Sequence, residues 1–419
     1  MRRRVLLALA VLALIVAGLA AGYVLWKEHQ ARDIHGSSTE FTLTTTAAPP
    51  PKPKAKLVWP LYRFAADRTR AVEFPVRPPF RKLWFWGGGS LVEFPPVIGY
   101  GRLFVTTNAG HVVAFSARTG KRAWKYLSRR CSSASPALAD ATVFVALMNR
   151  PPCNARGGHG LDGEVIAFGV GIGNVRWRTK IGPSETSPLV ADGRVYVGDW
   201  RGYEYALDER TGRVRWRFHT GGAVKGGAAL AGHRLYVGSY DGHLYCLDAR
   251  TGRLIWRASS QPRLGSSGEF YSTPAVAYGR VYVGSTDGKV YSFGATSGEI
   301  RWSHSTGGYV YSAPAVWDGL VYAGSYDHYL YAFDAATGDV RWRFRGNGPI
   351  SGAATVIDGV VYFATTTHRT YALSARSGRL LWSYPDGAYT PVVADAHRLY
   401  LVGFARIYGM EPQMKKATR

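Results

Sequence analysis

A chain of 419 residues is long enough for two or three ordinary domains. Its 50 Gly, 26 Tyr and 13 Trp against only 4 Met describe instead many short strands joined by tight turns. Lys and Arg number 52 against 28 Asp and Glu, a net charge of +24 that suits anionic partners without defining a fold. Three cysteines, Cys131, Cys153 and Cys246, are too few for a disulfide scaffold and lack the C-x-x-C spacing of zinc or redox sites.

Arg2, Arg3 and Arg4 precede an uncharged run from Val5 to Trp26, which as a helix spans about 33 Å, enough for a hydrocarbon core of about 30 Å. Basic residues before the span keep that end inside, so residues 1–26 are expected to form a single-pass signal anchor with the rest of the chain extracytoplasmic. A cleaved signal peptide is the alternative, given Gly18, Ala20 and Ala21, but the apolar run continues past them. Residues 27–56, ending in TTTAAPPPKPKAK, lose periodicity and are expected to form a solvated linker of roughly 90 Å at full extension.

From residue 90 one pattern recurs, clearest in DGRVYVGDWRGYEYALDERTGRVRW at 192–216. Its anchors are Trp84, Trp124, Trp177, Trp216, Trp256, Trp302, Trp342 and Trp382, spaced by 40, 53, 39, 40, 46, 40 and 40 residues. A unit of about 40 residues with two insertions predicts propeller blades, each of four antiparallel strands, with the tryptophans packing blade on blade. Seven of the eight follow a glycine by four residues, as in Gly298 before Trp302, where a tight turn needs positive φ. The last unit stops three strands in, and the first tryptophan, in RKLWFW, has no three strands before it. Joined as a clasp, the two ends complete an all-β ring of eight blades over residues 57–411, with 412–419 left as a basic tail.

In such a blade the link between strands two and three, and the link to the next blade, leave on one face. The insertions at 148–163 and 258–271 therefore share a face, and loops of this kind carry function more often than the scaffold does. Cys131 and Cys153 fall on the same face in an oxidising compartment and are expected to bond, leaving Cys246 a buried thiol. Glu93, Glu185, Lys225, Tyr271 and Tyr311 stand before the first strands of their blades and are expected to converge at the mouth of the central channel as a ligand or partner site.

Catalytic motifs are not found: no G-x-S-x-G, H-E-x-x-H or Walker loop occurs. His159 near Cys153 is a weak metal set. Asp208, Asp248 and Asp334 end third strands, where a short carboxylate caps a turn. Arg176 and Arg178, Arg215 and Arg217, and Arg341 and Arg343 flank tryptophans on outer strands. There they guard edges against aggregation, or form a belt for anionic wall polymer or lipid.

The unit in YALDERTGRVRW, YCLDARTGRLIW and YAFDAATGDVRW resembles the pyrroloquinoline-quinone (PQQ)-type propeller repeat, and WPLYRFAADRTR at 59–70 is similar to the segment that leads into blade one in that superfamily. The resemblance implies either a quinone-dependent alcohol or sugar dehydrogenase, or a cofactor-free scaffold such as the lipoprotein of the outer-membrane β-barrel assembly machinery. Dehydrogenases of the class pair the quinone with adjacent cysteines, a calcium site and a catalytic Asp; adjacent cysteines are missing here, as is a carboxylate cluster for calcium. The expectation is a non-catalytic, monomeric propeller without cofactor or metal, anchored in the cytoplasmic membrane. Its expected partner is an envelope protein and not nucleic acid, with PQQ and calcium as the alternative.

Overall fold

The computed structural model describes residues 2–36, 38–43, 56–153, 162–389 and 392–413. His159 and the greater part of the basic tail lie outside these residues, as do residues 44–55 of the linker.

Eight antiparallel sheets form the ring. Blade three shows the pattern: Leu189–Ala191 innermost, then Arg194–Gly198, Tyr203–Asp208 and Val214–His219 outermost. The two middle strands of a blade are buried on both faces, so they read as near-continuous apolar runs, while the outermost alternates. Blade eight is the clasp. Its strands Val392–Ala394, Leu399–Val402 and Arg406–Pro412 come from the end of the chain, and Phe80–Gly87 supplies the outer strand in antiparallel register, Phe80 opposite Pro412 and Gly87 opposite Arg406. The fold is thus an eight-bladed propeller with one N-terminal helix long and apolar enough to span a membrane.

Six of the eight anchoring tryptophans, Trp124, Trp177, Trp216, Trp256, Trp302 and Trp342, use the whole ring. The indole lies on the turn glycine of the following blade: a Cβ on Gly298 would sit 2.7 Å from Trp256, and one on Gly338 2.7 Å from Trp302. The indole N–H then donates to a backbone carbonyl of that blade, Trp216 to Ala249, Trp302 to Ala335 and Trp342 to Ala375, each at 3.0 Å. The glycine that precedes each tryptophan therefore serves two ends, a positive φ and a flat seat for its neighbour's indole. Asp208, Asp248 and Asp334 cap their turns by accepting from the amides of Thr211, Thr251 and Thr337.

Two segments differ from the linker expected over 27–56. The helix runs from Arg2 to Gln30, past Trp26. Residues 31–36 and 38–43 then lie along the outside of blade five, because that blade offers them partners. Ile34 pairs with Ser303 in both directions, the Glu40 carboxylate meets Arg301 at 2.7 Å, and the Phe41 ring packs against Tyr278.

The lead-in segment runs inside the ring. Leu57–Trp59 adds a fifth strand to blade one and Ala71–Val72 a parallel one to blade seven. Between them, carbonyls of Pro60, Ala66, Asp67, Thr69 and Arg70 accept from the inner strands of blades two, four, five, six and seven. This hoop closes the channel against one face and leaves it open on the other. Arg63, Phe64, Arg68 and Arg70 hold positive φ within it, a strained run kept by its surroundings.

A matched pair of glycines separates turn strain from indole seating. Gly319 has φ +74° with open space where a Cβ would go, and Gly298 has φ +75° under Trp256. Gly319→Ala is expected to cost about 1 kcal/mol of backbone strain, and Gly298→Ala a further ~1–3 kcal/mol of overpacking. Thermal melts of the two variants should therefore show the larger drop for Gly298→Ala; equal drops would contradict the seating role.

Candidate functional site

The open end of the channel is a cup on the insertion face. Glu93, Glu185, Lys225, Tyr271 and Tyr311 all line it, with Tyr389 completing the wall and Tyr62 at the floor. They converge because each precedes the innermost strand of its blade, the point where eight chains pass closest to the axis.

The floor rests on buried charge. Arg63, Arg68 and Arg70 are inaccessible to solvent. The guanidiniums of Arg68 and Arg70 lie 5.8 and 5.7 Å from the Tyr62 ring. Among the described residues none of the three makes a salt bridge, although the carboxylates of Asp67 and Glu204 lie within electrostatic reach of Arg68; Arg68 donates to the carbonyls of Ala228 (2.9 Å), Ser187 (3.2 Å) and Tyr62, and Arg63 to that of Thr273 (3.1 Å). Burial pushes Arg63 down to about 9 and Arg68 and Arg70 to about 10, all above neutral pH, so the three stay charged. They tie the hoop to the inner strands and are covered by Tyr62.

The wall divides into two halves. In one, the Lys225 ammonium sits 4.6 Å from the Trp200 ring centre and 4.9 Å from that of Tyr240, and pairs with the Glu185 carboxylate at 3.2 Å. In the other, Tyr271 and Tyr311 meet edge to face at 5.1 Å, as do Tyr311 and Tyr326. Glu93 enters ahead of blade one, across the ring from Tyr271 of blade five, with Ser133 beside it. Burial, reinforced by the charge of Glu185, holds the Glu93 carboxyl above its ordinary value. Burial also raises Glu185, against the pull of Lys225, and raises Glu269 at the rim. In a chain of net charge +24, the cup is lined by two carboxylates, Glu93 and Glu185, and one ammonium, and that ammonium is already paired.

Other carboxylates of this face belong to the scaffold. Asp199 accepts from the Tyr205 hydroxyl and the Gly182 amide, and Asp241 and Asp327 make the same two contacts in their blades. Among the described residues no group of three or more His, Cys, Asp or Glu is placed to hold a metal ion.

Beside the cup, Cys131 and Cys153 are joined, with Cα atoms 5.5 Å apart, and Cys246 is a buried thiol. Arg130 grips the base of the insertion through Asp162 at 2.9 Å and Glu164 at 3.1 Å. The outer arginines are engaged within their own blades: Arg215 with Asp208, Arg341 with Asp334, and Arg178 with Glu164.

Sequence reasoning passed over Trp200, Tyr240 and Tyr326 because they read as strand ends. Their signal was present: G-D-W and G-S-Y place an aromatic two residues after the glycine that closes the second strand. The arginines of the hoop left no comparable mark, since an Arg in an aperiodic stretch is ordinarily solvated.

Fold and cup together define a closed, plugged propeller of the PQQ-like repeat class. The chain belongs to the family described as "Outer membrane protein assembly factor BamB", which it matches over residues 88–198, 201–310 and 295–406. It is 31% identical over 156 residues to the serine/threonine-protein kinase AfsK of Streptomyces griseus, an alignment spanning 33% of this chain and 18% of that protein. It is 30% identical over 149 residues to the dehydrogenase subunit of the quinone alcohol dehydrogenase of Gluconacetobacter polyoxogenes, spanning 30% of this chain and 20% of that one. These alignments thus cover about a fifth of each relative. Among solved structures, BamB from Moraxella catarrhalis superposes with a TM-score of 0.64 at 18% identity, covering 81% of this chain and 99% of that one, a likeness of fold.

The raised Glu93 carboxyl carries a pH signature. Because the folded state holds that proton more tightly than the unfolded chain, ionised Glu93 weighs against folding above its raised value, and the penalty vanishes below the ordinary carboxylate range. Glu93→Gln should melt higher than the parent at pH 7, with the gain shrinking toward pH 4. An equal or lower melting temperature at pH 7 would contradict the placement.

Proposed function

We propose that this protein is a non-catalytic, membrane-anchored scaffold whose propeller stands on the extracytoplasmic side and binds an envelope protein at the cup. The observation that carries the reading is the acidic, aromatic-walled cup in a strongly basic chain. Lys225 already shows what such a wall holds, a cation between two ring faces and a carboxylate. The cup adds a second carboxylate, Glu93, and the tyrosine wall of Tyr271, Tyr311 and Tyr389, so a partner segment offering a Lys or Arg side chain fits it. The disulfide-tied insertion beside the cup loses little entropy on binding, which favours recognition. The family description points to envelope assembly as well.

The dehydrogenase relatives support a second reading, PQQ with calcium at the same opening. The residues present do not fit that group. PQQ is a tricarboxylate, and it would face Glu93 and Glu185, while the arginines of the hoop lie buried beneath Tyr62, with Arg68 held by backbone carbonyls. Cys131 and Cys153 are 22 residues apart, not adjacent. A belt for anionic wall polymer finds less support than the cup, since its arginines are paired in place.

Titrating the purified protein with PQQ and calcium decides between scaffold and enzyme. The expected outcome is no saturable binding at micromolar quinone and no dye reduction on adding alcohols or sugars. Saturable binding with substrate-dependent dye reduction would replace the scaffold reading with the dehydrogenase one.

A further inference from the structure

The N-terminal helix is not hung on a loose tether. Gln30, its last residue, is followed at once by Ala31, which is buried and whose carbonyl accepts from the Lys289 ammonium. From there to Phe41 the strap is held on blade five by the Ile34–Ser303 bridge, by Ser305 donating to Asp33 at 2.6 Å and by Glu40 on Arg301, and on the turn of blade six by the Gly36 amide on the Thr337 carbonyl at 3.0 Å. Blade five departs from the repeat where the strap lies. Its outer strand reads IRWSHS where blades three and six read VRWRFH and VRWRFR, so a serine replaces the outward arginine and leaves the edge open for pairing. Lys289 occupies the position of Tyr203, His243 and Tyr329 and is buried, whereas those three are partly exposed.

This attachment places one loop at the membrane boundary. Trp26, Lys27 and Gln30 run beside Arg257–Pro262 at the outer edge of the ring, and the Gln261 amide reaches Gln30 at 3.4 Å. A Trp and a Lys at the end of an apolar span mark the headgroup level. Two residues beyond Gln261 the insertion turns at Arg263 and Leu264, closed by the Ser266 amide on the Arg263 carbonyl. Both side chains are exposed, Leu264 at 48%, and neither has a place in the core. A basic residue beside an apolar one at a loop tip is the pairing that lies on an anionic bilayer, the cation at phosphate level and the apolar group just below it.

We propose that the Arg263–Leu264 tip rests on the anionic phospholipid headgroups of the membrane holding the N-terminal helix, so that the ring is fixed by the edge of blades four and five and its cup opens along the membrane surface. This assigns the outer end of the 258–271 insertion to lipid and leaves the cup and the disulfide-tied insertion to the protein partner. It depends on the helix spanning a membrane and is independent of what the cup binds.

The full chain in phosphatidylglycerol-containing nanodiscs tests it. A nitroxide placed through Leu264→Cys can be compared with one at Thr119→Cys, an exposed turn of blade one across the ring. Cys131 and Cys153 are bonded and Cys246 is buried, so labelling is selective. The label at 264 should show an oxygen-to-nickel-chelate accessibility ratio several-fold above the label at 119, and adding Arg263→Glu should lower it. A flexible Gly/Ser insertion between Gln30 and Ala31 should bring the ratio at 264 down toward that at 119. Equal ratios at the two sites in the uninterrupted chain would overturn the proposal, and a ratio at 264 that ignores the inserted linker would overturn the rigid attachment.

Discussion

The structure depends on one contact repeated from blade to blade: an indole laid flat on the turn glycine of the next blade, with its N–H donated to that blade's backbone at Trp124, Trp177, Trp216, Trp256, Trp302 and Trp342. A four-stranded sheet of short strands cannot bury both of its faces alone, and this contact makes the neighbour the missing half of each core. The contact works only if every blade has a successor. Blade eight obtains one by taking Phe80–Gly87 from the start of the chain, which puts Trp84 over Gly120 of blade one. Closure of the ring and burial of the cores are therefore the same requirement.

A closed ring of eight blades leaves an axial channel that its inner strands cannot fill. The chain fills it with its own lead-in hoop, using carbonyls toward the inner strands and three arginines toward the carbonyls above them. Burying three cations is costly, and the cost is offset in part by hydrogen bonds to backbone oxygens, by the charges of Asp67 and Glu204, and by the face of Tyr62. The result is a cup instead of a pore. Its floor is Tyr62 above the buried arginines, and its wall carries tyrosines, two carboxylates and the paired Lys225.

The blades were legible in the sequence because a large aromatic at a fixed period has few uses besides packing, and the clasp because two incomplete ends complement each other. The five cup residues were legible for a related reason: they share a repeat position yet differ in chemistry, which a purely structural position would not need. The hoop was legible only as a resemblance, since its arginines obey no period and donate to backbone carbonyls of four different blades, three, four, five and eight. The strap of residues 31–36 and 38–43 was hidden too. Its hydrogen bonds are irregular, and its signal is written in blade five, where Ser303 and Lys289 break the repeat, and not in the strap itself.

The account's central claim is that the working surface is the cup and the insertion beside it. A photocrosslinking scan in cells measures this most directly, with the reactive residue placed in turn at Tyr311 and Tyr389 in the cup, at Arg215 and Arg341 on the outer belt, and at Thr119 and Ser377 on the opposite turns. The account predicts that crosslinks to envelope proteins concentrate at the two cup positions. Crosslinks that concentrate on the belt or on the opposite turns, with the cup silent, would contradict it.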